Sequence, residues 1–162
     1  MHIVTKNLII RDFTENDIVN AHKYLQDKEV MKYVEPPFTL EQTKDFILEY
    51  GCKKHMVFAL EEKSSANVIG HAIFHPYDEV EEYEIGWILN RCSWGKGYAL
   101  EVSHALMEYA FGDMKANRVI AETAATNQGA LAVIKRLGLV ENEHRSGTLL
   151  KLYELNFIDY KR

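Results

Sequence analysis

The segment from residue 84 to residue 101 constrains this chain more than any other. Glu84-Ile85-Gly86-Trp87-Ile88-Leu89 reads as a strand. After a break over residues 90–93 come Trp94-Gly95-Lys96-Gly97-Tyr98-Ala99, and then Val102, Ala105, Leu106 and Tyr109 at the spacing of an amphipathic helix. A helix start carries backbone N–H groups without intrahelical partners and the positive end of the helix dipole. Small residues there let phosphate oxygens approach the amides, so the turn is a candidate pyrophosphate cradle. It is not a Walker loop, because Gly97 follows Lys96 where Ser or Thr is required. It is not a dinucleotide fingerprint either, because Leu100 stands where the third small residue belongs. Taken alone, the segment equally fits a structural turn that binds nothing.

The rest of the chain supplies a mixed architecture. Residues 8–13 read as a strand. Thr14 with Asp17 opens a helix carried by Ile18, Ala21, His22 and Leu25. Pro36-Pro37 breaks the chain, and Thr39 with Gln42 opens a second helix with Phe46, Ile47 and Tyr50 on one face. Residues 56–60 and 68–74 predict a hairpin around Ser64-Ser65-Ala66-Asn67. Residues 118–124 predict a strand, 127–137 a helix with Gly138 behind it, and 139–157 two strands around Ser146-Gly147. The fold class is α/β (α+β). The expectation is one domain over residues 1–162, with a mixed, mostly antiparallel central sheet of about seven strands and about four helices.

Composition narrows the function. With 47% hydrophobic and 27% charged residues among 162, the chain can build one ordinary core. The net charge of -5 and the lack of a basic patch argue against nucleic acid, and favour a cationic substrate only weakly. Cys52 and Cys92 have no paired-ligand spacing, so no metal site and two reduced thiols are expected. No run reaches membrane-span length and no signal-peptide h-region stands at the start, which predicts a cytoplasmic protein that does not bind membranes. A monomer or a homodimer fits equally.

Trp94-Gly95-Lys96-Gly97-Tyr98-Ala99 resembles the coenzyme A pyrophosphate loop of GNAT-type N-acetyltransferases, with Gly97 and Ala99 in its small positions and Trp94 where Gln or Arg is usual. With Glu101 behind it, the run is similar to the RimJ/RimL-like branch, the ribosomal-protein alanine N-acetyltransferases. Glu84-Ile85-Gly86-Trp87, Tyr109-Ala110-Phe111, Asn117-Arg118-Val119, Asn127 and Leu137-Gly138-Leu139 follow the same branch in the same order. So does the opening strand. The resemblance spans nearly the whole chain. It implies direct acetyl transfer from acetyl-CoA as co-substrate to a primary amine: a protein or peptide N-terminus, or another small primary amine.

The resemblance also assigns residues. Trp87, Ile88 and Leu89 would lie along the cofactor arm, with the Leu89 amide polarising the thioester carbonyl. Trp94, Gly95, Lys96, Gly97, Tyr98, Ala99 and Leu100 would hold the pyrophosphate, and Asn127 would meet the arm from the other side. An attacking amine must be neutral, so a base is useful. Glu84 is the first choice. Glu82, Glu122, His71 and His75 are alternatives, and each is equally readable as an ordinary polar side chain. The family's tyrosine acid falls on Ile134, and the branch's serine on Ala130. Tyr98, Tyr83 and Cys92 are not placed well enough to replace them. Those two departures keep a rival reading open, a non-catalytic acyl-CoA-binding module.

Overall fold

The computed structural model describes residues 1–161. Among these residues eight strands run in the order β1-β2-β3-β4-β5-β6-β8-β7, one more than the sequence predicts. The extra strand is β1 (His2–Val4), which pairs antiparallel with β2 (Leu8–Arg11). Among the described residues there are six α-helices rather than about four, because α2 (Lys28–Met31) and α6 (Phe157–Tyr160) are single short turns. The chain divides into two compact units: residues 1–73 with 87–102, and residues 74–86 with 103 onward. Strands β4 (Asn67–Pro76) and β5 (Glu82–Leu89) contribute to both.

In the first unit, β2 alternates fully buried Leu8 and Ile10 with part-exposed Ile9 and Arg11, as a strand with one covered face requires. Ile10 stands opposite Leu60 of β3 (Val57–Glu62), and both are fully buried. Burying a side chain of that size stabilises by about 1.5–3 kcal/mol. The Thr14 amide donates to Asp17 Oδ2 at 2.8 Å, and a 3₁₀ turn there leads into α1 (Ile18–Leu25). The Thr39–Gln42 capping box opens α3 (Leu40–Phe46), which continues as a π-helical stretch over Ile47–Lys53. Ala21, Tyr24, Leu25 and Ile47 pack with Phe13, Val57 and Ala59 into this unit's core.

In the second unit, β5 pairs parallel with β6 (Arg118–Ala124) at Glu82–Arg118, Tyr83–Val119 and Glu84–Ile120. β8 (Leu150–Asn156) runs antiparallel along all of β6, and β7 (Val140–Glu141) flanks it. Helix α5 (Gln128–Arg136) ends at Leu137, and Gly138 takes φ of 79°. That is the left-handed position at which a helix stops without a Cβ penalty.

Candidate active site

The glycine turn belongs to the first unit. Gly97 accepts at its carbonyl from the Glu101 amide at 3.1 Å, which makes Gly97 the cap of α4 (Tyr98–Gly112). Gly95 and Gly97 have φ of 75° and 82°, and a Cβ built on either meets no atom within 4 Å. Backbone conformation demands glycine there, not packing, and the space in front of both is open. A loop with open volume before a helix N-terminus fits a pyrophosphate group.

Side chains around the turn hold it in place. Trp94 Nε1 donates to the Leu89 carbonyl at 3.0 Å. Tyr98 Oη donates to Glu62 Oε1 at 2.9 Å, and Lys96 Nζ lies 3.3 Å from the same oxygen. Hydrogen bonds from Ser65 and then Tyr98 keep the Glu62 carboxyl below its ordinary range. The Glu62 bond first, then burial, raises the Tyr98 phenol, so Tyr98 is a poorer acid than a free tyrosine. Glu101 fastens the base of α4 to the β1–β2 turn through Thr5 Oγ1, the Asn7 amide and Asn7 Nδ2, the last two at 2.7 Å. Burial raises the Glu101 carboxyl, but those hydrogen bonds outweigh it and hold the group low.

The end of β5 sorts its main-chain groups by parity. The Asn90 amide donates to the Ile69 carbonyl of β4 at 2.7 Å. Alternate residues of a strand address opposite edges, so Leu89 and Trp87 direct their N–H and C=O away from β4. Ile88 is turned the other way. A Cβ built on Gly70 of β4 would stand 2.1 Å from the Ile88 carbonyl oxygen. The Ile88 side chain packs on the core of this unit. Ile88 thus turns its main chain towards β4 and its side chain towards the core, whereas the main-chain groups of Trp87 and Leu89 face away from β4.

The candidate bases fall in both units. His71, in the first, is fully buried with Nδ1 3.1 Å from Tyr24 Oη, and burial pushes its pKa down to about 3. It is a core group, and its low basicity corrects its candidacy. In the second unit, the Glu82 side chain is 2% exposed and chelated by Arg145, at 2.7 and 3.1 Å, with Arg118 at 3.2 Å. Burial raises the Glu82 carboxyl, but the Arg145 hydrogen bonds prevail and hold it below the ordinary range. Glu82 is an ion-pair anchor, and its candidacy is corrected too. The same arginines lie near the acidic tip of the β4–β5 turn, with Asp78 3.6 Å from Arg145 and Glu79 3.6 Å from Arg118. The run is thus partly neutralised.

The remaining three candidates gather on one face of the second unit. Glu84 stands opposite Ile120, and Glu122, two residues on along β6, shares that face. His75 Nε2 lies 3.0 Å from Glu84 Oε2, and its Nδ1 lies 2.8 Å from the Pro76 carbonyl. Tyr77 donates its hydroxyl to Glu122 in a very short hydrogen bond. Burial, then that bond, drives the Tyr77 phenol far above its ordinary value. Tyr77 escaped the sequence reading: it lies just past the end of β4, and only its hydrogen bond to Glu122 brings it to this cluster. In the same unit, Asn127 Oδ1 caps α5 by accepting from the Ala130 amide at 3.1 Å. Ile134 is buried, so no acid group stands at that position.

A profile described as Acetyltransferase (GNAT) domain matches residues 7–140. The chain belongs to the GNAT acetyltransferase family. It is an acyltransferase, and relatives named as N-acetyltransferases agree. An uncharacterised N-acetyltransferase of Bacillus subtilis, YnaD, is 36% identical over 140 residues, covering 86% of this chain and 82% of that protein. A GNAT-family acetyltransferase from Bacillus anthracis is 30% identical and superposes with a TM-score of 0.88 over 98% of this chain and 99% of that one. A spermidine N-acetyltransferase from Vibrio cholerae, solved with CoA and spermine, shares the fold at 18% identity and a TM-score of 0.80, over 96% and 97% of the two chains. The GNAT family uses acetyl-CoA, and the glycine turn of this acetyltransferase suits that co-substrate. No helix among its described residues is long and apolar enough to cross a membrane.

Proposed function

We propose that this acetyltransferase moves the acetyl group of acetyl-CoA directly to a primary amine. The observation that carries the reading is the open volume before Gly95 and Gly97 at the start of α4. Acetyl-CoA supplies an activated acetyl group on a thiolate leaving group. The first-turn amides and the turn at residues 95–100 hold the pyrophosphate. The Leu89 amide, turned away from β4, donates to the carbonyl oxygen as charge develops on it. Asn127 retains its Nδ2 for the cofactor arm, its Oδ1 being used as a cap.

Glu84 is the base. It lies on the strand that carries Trp87 and Leu89, three residues or roughly 10 Å along the backbone from Trp87. With Ile134 and Ala130 in the acid positions, the thiolate, whose parent thiol has a pKa of about 8.5, takes its proton from water. The acceptor is a protein or peptide N-terminus, as the RimJ/RimL-like motifs suggest, or a small cationic amine such as the spermidine relative's name indicates. The reaction takes place in the cytoplasm.

An acetylation screen over peptide N-termini, polyamines, amino acids and aminoglycosides, read by thiol release, tests the reading. Glu84→Gln is expected to lower kcat about a hundredfold with acetyl-CoA affinity unchanged. CoA binding without turnover of any amine would favour the non-catalytic acyl-CoA-binding module. A Glu84→Gln variant within about twofold of wild type would pass the role to Glu122 or His75.

A further inference from the structure

We propose that His75 and Glu84 accept the substrate's proton as one pair and hold it as a single proton shared between them. The inference rests on the acetyl-transfer reading above with Glu84 as base. His75 itself touches no substrate and is a positioning residue.

The argument is one of proton counting. The Pro76 carbonyl, 2.8 Å from His75 Nδ1, can only accept. Nδ1 therefore keeps its proton in every state, and the neutral ring has a bare Nε2. That nitrogen faces Glu84 Oε2 at 3.0 Å, and an ionised carboxylate is likewise an acceptor only. Two lone pairs at this distance repel, whereas one proton between them makes a charge-assisted hydrogen bond. Both side chains are 18% exposed, so water screens the contact poorly. The pair titrates as a unit, with an apparent value that belongs to neither residue alone.

The charged neighbours act in the same direction. Glu122 on β6 faces the ring, and its negative charge favours the imidazolium. Tyr77, just past the end of the strand that carries His75, is bound to Glu122. The Arg145 guanidinium lies 5.3 Å above the Tyr77 ring but is chelated by Glu82. The Glu84 hydrogen bond first raises His75 above the ordinary imidazole value, burial opposes it, and the Pro76 bond adds to the rise.

The step balances simply. The empty pair, neutral His75 with ionised Glu84, carries one negative charge. The acceptor ammonium loses a proton to Glu84, directly or through water, and the N–H electrons remain on nitrogen as the attacking lone pair. The proton comes to rest between Oε2 and Nε2, the pair becomes neutral, and water later removes the proton. Only the empty pair is a base, so kcat/KM must fall on the acid side through the pair's apparent value.

The test is a set of pH profiles of kcat/KM on the full chain. In His75→Gln the acid limb is expected to move to lower pH, because the imidazole nitrogen that shares the proton is gone. The plateau is expected to fall about tenfold, since a weaker base is left, with acetyl-CoA affinity unchanged. A limb that stays in place while Glu84→Gln is crippled overturns this inference alone. A Glu84→Gln variant with near-normal activity overturns the base assignment and this inference with it. Nitrogen-15 NMR of the wild-type histidines gives a readout independent of turnover and of variant folding. Neutral His75 should be the Nδ1–H tautomer and should titrate lower in Glu84→Gln, whereas an Nε2–H tautomer would refute the shared proton.

Discussion

Gly70 offers the sharpest test of how the sheet places the Leu89 amide. In Gly70→Ala the new Cβ starts 2.1 Å from the Ile88 carbonyl oxygen and 3.0 Å from the Leu89 Cα. Real Cβ contacts essentially never fall below 3.0 Å, so the oxygen must retreat by roughly 0.9 Å, the difference between 3.0 and 2.1. The obstacle is backbone on a paired strand, not the end of a flexible side chain. Overpacking of this kind costs about 1–3 kcal/mol. Exchanging Gly for Ala in an extended segment returns about 0.5–1 kcal/mol of backbone entropy. The net expectation is a destabilisation of about 0.5–2 kcal/mol, measured as a shift in urea midpoint at constant m-value. The catalytic effect should be larger. A donor displaced by about 1 Å can cost on the order of a hundredfold in rate. That loss should fall mainly on kcat, with a smaller weakening of CoA affinity, because Trp94 ties the proposed pyrophosphate turn to the Leu89 carbonyl. Equal or greater stability with kcat within twofold of wild type would refute both the close approach and the role of the Leu89 amide.

Two further substitutions probe the pyrophosphate turn and the buried acid. Gly97→Asp should abolish CoA binding in calorimetry while circular dichroism shows a folded chain, because the side chain and its charge enter the phosphate volume and φ of 82° disfavours it. Glu82→Gln should destabilise by about 2–4 kcal/mol, towards the lower part of the range for breaking a buried pair, since both arginines are partly exposed. The folded-state Glu82 value lies below its unfolded one, so its contribution is present above the ordinary carboxylate range and is lost as pH falls through the folded value. Acid titration of the wild-type urea midpoint should show that loss, and Glu82→Gln should lack it.

The strand–turn–helix around the glycine turn was legible because Gly95 and Gly97 answer a backbone requirement that no other residue meets cheaply. Gly138 was legible for the same reason, and Thr39 because its side chain forms a capping box with Gln42. Strand β1 was not, since three residues of exposed, part-exposed, exposed pattern carry almost no hydrophobic signal. The π-helical stretch over Ile47–Lys53 escaped because its apolar residues still sit at helix-like spacing while the hydrogen bonds shift by one residue. The bases were the hardest to separate. Glu82 and Glu84 are two apart on one strand, and nothing local distinguishes them. What decides is Arg145, 63 residues further on, which seals Glu82, whereas His75 takes Glu84. Strand order put His75 and Glu122 among the candidates, but their pairing with Glu84 and Tyr77 came only with the register.

The Glu82–Arg118–Arg145 cluster also gives the second unit an unusual response to heat. Hydration of charged groups carries a strongly negative entropy, so the cost of keeping these ions from water shrinks as temperature rises, while apolar burial gains little more. Glu82, with its Arg145 chelate at 2.7 and 3.1 Å, joins the turn after β4 to the loop before β8. On warming, that joint keeps its strength relative to the apolar contacts around it. The β4–β5 turn is therefore held most firmly, in relative terms, at the hot end of the protein's range, and cooling is what weakens its advantage.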